Sequence, residues 1–247
     1  MHKGLDAGQI QFYRTNGYVL PSQKLLEDNK QDKLKNIFEE HLADKGDKLS
    51  DELDTPHFRD QRLFEFLLAP ATLDVVEAII GPDIGLFSSH FISKEPGKGR
   101  RTPWHEDSAY WEGKFDRLDK IVTIWLAIDE ATQENGCMGV IPGTHQNGFS
   151  NYEKVDDAAN STFETEIKSD ELDLERVVWF ELKPGEYSLH DARIIHGANA
   201  NTSDKRRCGY TMRYFSLDMK FNEKVNPGHK LWYARGENIA NNRLETA

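Results

Sequence analysis

No stretch of this 247-residue chain stays apolar for the ~18 residues that a membrane-spanning helix needs, so no membrane partner is expected. Cysteine is nearly missing. Cys137 and Cys208 are too few for a disulfide framework, and both fall in strand-like segments where a buried reduced thiol is the usual state, so a reducing cytoplasm is the expected setting. Positive charge is also short: 31 Lys and Arg against 42 Asp and Glu leave a net charge of -11, without the clustered cations that nucleic-acid phosphates require. Met1 to Asn16 is polar and carries Asp6, unlike a secretory signal. Internal repeats and linkers are missing too, which predicts a single domain over 1–247, acting on a small molecule as a monomer or small homo-oligomer. The 38% of apolar residues suffices for one sizeable core beneath a polar surface.

The chain changes character near residue 85. Before it, Asp6 to Asn16, Leu25 to Leu42, Leu63 to Leu68 and Pro70 to Ile80 read as helices. Gly17 follows the first as a left-handed cap, Tyr18 to Leu20 suggests an early strand, and Gly81-Pro82 stops the last helix. Residues 1–84 are thus expected to be mainly helical support. Residues 85–217 read as a β core, with strands at Leu86–Lys94, Ile121–Asp129, Cys137–Ile141, Val177–Leu182, Glu186–His190, Arg193–His196 and Arg207–Leu217. Asn135-Gly136 marks a turn, with Cys137–Ile141 as the return strand. The last strand alternates, with Cys208, Tyr210, Met212 and Tyr214 on one face and Arg207, Gly209, Thr211 and Arg213 on the other. A polar insert, 147–176, reads as a mobile surface excursion, and 218–247 forms a C-terminal segment. The expected architecture is N-terminal helices packed on an all-β sandwich or jelly roll.

Within this frame, His105-Glu106-Asp107 sends two potential metal ligands from the same face of an extended segment, with Glu106 pointing away. A second histidine from a distant strand would complete a two-histidine, one-carboxylate facial triad, which leaves coordination sites for a bidentate co-substrate and dioxygen. His190 and His196 are the candidates. His196 is preferred because Gly197 beside it permits close backbone approach and because Arg206-Arg207 follow a polar turn, Asn199 to Asp204. An antiparallel return would set Arg207 beside the His196 strand, facing inward. A buried guanidinium is costly without an anion, and its planar fork suits a carboxylate such as the distal end of 2-oxoglutarate.

The same residues resemble the phytanoyl-CoA dioxygenase (PhyH) family of Fe(II)/2-oxoglutarate oxygenases. The likeness runs through Phe12-Tyr13-x-x-x-Gly17-Tyr18, Trp104-His105-Glu106-Asp107 and Trp125-Leu126-Ala127-Ile128-Asp129. It continues through Glu134-Asn135-Gly136-Cys137, Val140-Ile141-Pro142-Gly143-Thr144-His145 and the span from His196-Gly197 to Arg206-Arg207. The resemblance implies a double-stranded β-helix (jelly roll, cupin-like) with His105, Asp107 and His196 as iron ligands. It implies Arg207 as the 2-oxoglutarate anchor, and Trp125 and His90 as residues lining the cofactor pocket. Where relatives carry serine two residues after the second histidine, this chain has Ala198; Thr211 or a water would have to supply that hydrogen bond.

The implied activity is a 2-oxoglutarate-dependent non-haem iron dioxygenase using Fe(II), 2-oxoglutarate and dioxygen. Halogenating relatives lack the carboxylate that Asp107 supplies, so hydroxylation or another oxidation, not halogenation, is the expected outcome. Lys98, Arg100 and Arg101 before the metal motif, with Tyr110 and Trp111 after it, suggest a small anionic substrate with an apolar part. Trp232 to Asn242 is a candidate segment to close over the site. Two alternatives stay open: a cupin-like metalloenzyme that does not use 2-oxoglutarate, and a non-enzymatic jelly-roll ligand-binding module.

Overall fold

The computed structural model describes residues 4–247. The chain opens with α1 (Ala7–Asn16), capped by a reciprocal Asp6–Gln9 box at its start and by Gly17 at φ 80° at its end. β1 (Tyr18–Val19), α2 (Asp28–Ala43), β2 (Leu53–Asp54), α3 (Phe64–Leu67) and α4 (Pro70–Ile80) follow. Pro70 sits in the first turn of α4, where a missing N–H costs nothing. The remaining chain is mostly strand: β3 (Ile84–Lys94), β4 (Thr102–His105), the short α5 (Asp107–Trp111), β5 (Ile121–Ala127) and β6 (Met138–Val140). Then come β7 (Tyr152–Lys154), β8 (Thr165–Ile167), β9 (Val178–Trp179), β10 (Tyr187–Asp191), β11 (His196–Ala198), β12 (Arg207–Ser216) and β13 (Trp232–Arg235).

These strands form a seven-stranded sheet in the order β1-β10-β5-β12-β3-β13, with β2 also on β3, and a four-stranded sheet β4-β11-β6-β9. All named pairings are antiparallel. The large sheet turns one face to the helices. Leu34, Ile37 and Phe38 of α2 and Val76 and Ile80 of α4 share a core with Cys208, Tyr210, Met212 and Tyr214 of β12. Each large side chain buried there contributes about 1.5–3 kcal/mol. The other face holds Arg207, Gly209, Thr211 and Arg213, as the alternation along β12 predicts.

Four expectations need correction. Asn135-Gly136 does not close a hairpin: β5 lies in the large sheet and β6 in the small one, so the turn carries the chain between sheets. Likewise, β11 and β12 are not neighbours, so Arg207 does not return beside His196 but lies in the other sheet. Residues 193–195, expected as strand, belong to the turn before β11, where Arg193 caps back onto Asp191. The insert 147–176 is not a bare excursion but carries the β7–β8 hairpin and meets the body through the Arg101–Glu166 ion pair at 2.7 Å. Turn composition shows where the chain reverses, but which sheet receives the next strand depends on the packing of both.

Cys137 and Cys208 are free and buried, as expected. Burial pushes the Cys137 thiol up to about 11, which keeps it protonated and unreactive. His57 is also buried, ringed by Phe58, Phe64 and Trp232. Tyr210 donates to Ser89 Oγ at 2.9 Å, and Ser89 donates in turn to His57 Nδ1 at 2.6 Å, so the imidazole serves as an acceptor. Burial, with His229 adding, holds its pKa down to about 3 against an ordinary 6.5. The folded pKa is depressed, so this contribution is complete above about 6.5 and is lost as pH falls toward 3. At pH 5.5 the loss from His57 is about 1.4 kcal/mol. Urea unfolding of the metal-free protein at pH 7.5 and 5.5 should show it. His57→Asn, whose Oδ1 can still accept from Ser89, should remove that share of the pH dependence; an unchanged slope would refute the assignment.

Candidate metal centre

His105 ends β4 and His196 begins β11, and the register pairs them directly across the antiparallel ladder. Side chains at such positions stand about 4.5–5.5 Å apart at Cβ, and here the ring centroids are 4.1 Å apart. Gly197 keeps the approach open: a Cβ there would meet Trp104 Cδ2 at 2.9 Å. His105 Nδ1 lies 2.8 Å from Pro103 O and His196 Nδ1 3.0 Å from Ile194 O. A carbonyl only accepts, so each Nδ1 carries the proton and each Nε2 presents a lone pair. Burial, reinforced by His196, holds the pKa of His105 down to about 3, so it is neutral as a metal ligand must be.

Asp107 lies just past the strand, in the first turn of α5, so the extended geometry expected for His105-Glu106-Asp107 breaks at its last residue. Its Oδ1 nevertheless stands 3.8 Å from His105 Nε2. Ligand atoms of His105, Asp107 and His196 all lie within 4.8 Å of one another. Burial opposes ionisation of Asp107, but Arg213 and the neighbouring histidines outweigh it and hold the carboxyl at about 2. Asp107 Oδ2 is buried without a hydrogen-bond partner. Two imidazoles and one ionised carboxylate, converging with an orphaned oxygen, fit the donor set of a non-haem Fe(II) site. Glu106 turns away from this cluster and accepts from Ser150 N at 2.7 Å, fastening the insert to the metal segment. His190, the rival ligand, is buried with its ring 5.1 Å from that of His196, outside the converging trio.

The cluster opens into a cavity of about 580 Å³ between the two sheets, which Arg207, Trp125 and His90 also line. Arg207 is 2% exposed. It donates to Gly136 O through Nε at 3.0 Å and to Ile92 O through Nη1 at 3.3 Å. Among the described residues no carboxylate pairs with it, and burial pushes its pKa down to about 10. Its guanidinium lies 5.4 Å from the Trp125 ring. That ring occupies space that only glycine leaves free, since a Cβ on Gly209 would lie 2.1 Å from Trp125 Cζ2. His90 sits elsewhere on the wall, with Nε2 donating to Asp51 O at 2.9 Å and Nδ1 3.8 Å from Asp54. Thr211 also lines the cavity, but its hydroxyl proton goes to His90 O at 3.2 Å.

Of the basic residues expected at the mouth, Lys98 is exposed and off the cavity wall, and the two arginines are already engaged. Arg100 lines the cavity but is bound to Asp51 at 2.6 Å, and Arg101 is committed to Glu166. Tyr110 and Trp111 are on the wall as expected. Trp232 to Asn242 does not cover the cavity: β13 extends the large sheet at β3, and Asn226 and His229, upstream of it, supply the lining from the C-terminal segment. Sequence reasoning missed Phe163, which reaches from the insert to the His105 ring at 4.8 Å between centroids. No local signal in a polar stretch marks such a contact. It also missed Arg213, although the alternation of β12 already placed that residue on the face of Arg207.

Comparison with known proteins agrees with this geometry. The phytanoyl-CoA dioxygenase (PhyH) family model matches residues 13–209. A Caenorhabditis elegans phytanoyl-CoA dioxygenase domain-containing protein 1 homolog is 29% identical over 196 residues, covering 74% of this chain and 67% of that protein. The Homo sapiens peroxisomal phytanoyl-CoA dioxygenase is 29% identical over 167 residues, covering 66% of this chain and 48% of that protein. Matches thus span from about half to two thirds of the length of these relatives. Among solved structures, the non-heme monooxygenase ThoJ superposes with a TM-score of 0.77 at 20% identity, covering 96% of this chain and 86% of its own. The alpha ketoglutarate dependent carbocyclase SnoK superposes at 0.71 and 24%, covering 91% and 89%; at these identities the two likenesses speak for the fold. With the family model spanning His105, Asp107, His196 and Arg207, this chain belongs to the phytanoyl-CoA dioxygenase family.

Proposed function

We propose that this protein is an Fe(II)- and 2-oxoglutarate-dependent dioxygenase that hydroxylates a small organic molecule and releases succinate and carbon dioxide. The scaffold in this reading is a double-stranded β-helix within one domain spanning 1–247. One observation carries it: a converging His105–Asp107–His196 cluster and a buried arginine without an acid share a single cavity. His105, Asp107 and His196 would hold the iron, and Arg207 would grip the distal carboxylate of 2-oxoglutarate against Trp125. The bound metal and co-substrate supply the oxidising chemistry, in which dioxygen is reduced as the keto acid loses carbon dioxide.

The chain's own residues position and exclude. The carbonyls of Pro103 and Ile194 hold both Nε2 atoms in the binding tautomer. Phe163 and Tyr110, 5.1 Å apart, pack beside His105 and keep water from that side of the cluster. Asp107 occupies the place that halogenating relatives leave for chloride, which favours hydroxylation. The test is calorimetric titration of 2-oxoglutarate into the anaerobic Fe(II) protein, followed by succinate measurement in air. One saturable site that disappears when the metal is chelated is expected. Fe(II) binding without 2-oxoglutarate binding would indicate a cupin-like metalloenzyme, and absence of Fe(II) binding a ligand-binding module.

A further inference from the structure

We infer that Arg213 anchors a carboxylate of the oxidised substrate, which makes the substrate a small monoanionic organic acid with an apolar body. This inference rests on the dioxygenase reading above and narrows it. Arg213 lies six residues beyond Arg207 on the same face of β12, roughly 20 Å further along the strand. The two guanidiniums touch different residues: Gly136, Ile92 and Trp125 around Arg207, and Thr211, Asp107 and Trp111 around Arg213. They are therefore placed to bind two different anions.

Arg213 is poorly satisfied for so enclosed a group. Its side chain is 14% exposed and lines the cavity, yet its one hydrogen bond runs from Nη1 to Thr211 Oγ1 at 3.1 Å. Nε is 3.5 Å from Asp107 Oδ2, but both atoms are buried without a hydrogen-bond partner. Most of the fork's five donors thus remain unspent. Other acids on the cavity wall do not answer it. Asp51 is held by Arg100, while Asp54 and Glu52 stand at the rim with side chains 63% and 47% exposed.

Charge bookkeeping points the same way. A divalent metal, dianionic 2-oxoglutarate, Asp107 and Arg207 cancel, so Arg213 is the cation left over beside the metal cluster, with Lys114 a second, less enclosed cation on the cavity wall. A lone buried charge is unfavourable, and a substrate monoanion would neutralise it through a planar, bidentate contact. One side of Arg213 is aromatic, while Ser88 and Thr123 flank it across the sheet. Its guanidinium lies 5.6 Å from the Trp111 ring, which packs on Phe87, and Tyr110 and Phe163 line the same space. A carboxylate with a hydrocarbon or aryl body matches that lining.

The test uses full-length protein loaded anaerobically with Mn(II) and 2-oxoglutarate, titrated with matched pairs such as 4-phenylbutanoate and 4-phenylbutanamide, and hexanoate and hexanamide. Expected is at least tenfold tighter binding of the acids. Arg213→Gln should abolish that preference, and Arg213→Lys should retain part of it, with 2-oxoglutarate affinity within threefold of the parent in both. Equal or tighter binding of the amides, failure of every acid to bind, or a preference that survives Arg213→Gln would overturn the inference. So would loss of Mn(II) and 2-oxoglutarate together in both variants, because Arg213 would then act only by positioning Asp107. Wild-type protein that takes up no 2-oxoglutarate would instead sink the dioxygenase reading itself.

Discussion

Asp107→Ala is expected to eliminate succinate formation and, unusually for a ligand deletion, to weaken the metal-free fold as well. The catalytic loss follows from the donor count. With one carboxylate gone, two imidazoles remain, and metal affinity should fall by at least about 100-fold, since even outer partners of metal ligands are worth 10–100-fold. The structural loss follows from Arg213, whose nearest acid is Asp107 at 3.5 Å. Because the Asp107 carboxyl is held at about 2, it is ionised throughout the working range and is the charge that Arg213 faces in the metal-free protein. Breaking a fully buried ion pair costs about 3–5 kcal/mol. This pair lacks a hydrogen bond and keeps some solvent, so about 1–3 kcal/mol is expected, read from urea midpoints without metal. Asp107→Ala combined with Arg213→Met should recover most of that stability and none of the activity. A single variant as stable as the parent would show that the two side chains do not interact, and succinate formation at the parental rate would remove Asp107 from the site.

Arg207→Met should give the opposite pairing of effects. Truncating one partner of a buried, hydrogen-bonded charge pair costs about 2–5 kcal/mol, so 2-oxoglutarate should bind roughly 30- to several-thousand-fold more weakly. Fe(II) or Mn(II) affinity should hold, because Arg207 touches none of the metal-binding side chains and spends its donors on Gly136 O and Ile92 O. The metal-free fold should be unchanged or slightly more stable. Arg207 there is a buried cation without an acid, and replacing such a charge by an apolar side chain of similar volume is often neutral or favourable. The lost donors to Gly136 O and Ile92 O limit the gain. Parental 2-oxoglutarate affinity in this variant would exclude Arg207 as the anchor.

How much of this was legible beforehand differs from element to element. The helix Pro70–Ile80 was read to the residue, because proline at the first turn and Gly81 at the end are local signals. The capped helix α1 and the alternating strand β12 were equally clear. His105, Asp107 and His196 were identified as a group, and they do converge. His196 and Arg207 are not joined through a hairpin, however, because their strands belong to different sheets. Both residues reach the cavity from opposite walls rather than from one ladder. The insert misled for a related reason: its polar composition describes the exposed side, while Phe163 and Ser150 make the contacts that dock it.

The sequence by itself determined the chemistry on offer: which side chains can bind a cation, which face of β12 is apolar, and which residues cap and stop the helices. Those properties depend on residue type and on spacings within a few positions. Only the tertiary structure decided that His105 and His196 stand in register, that Arg100 and Arg101 are consumed by acids, and that Arg213 is left with unspent donors above Trp111. Register and pairing are settled by contacts between residues far apart in the chain, such as Tyr18 with His190 and His105 with His196, which no local pattern encodes.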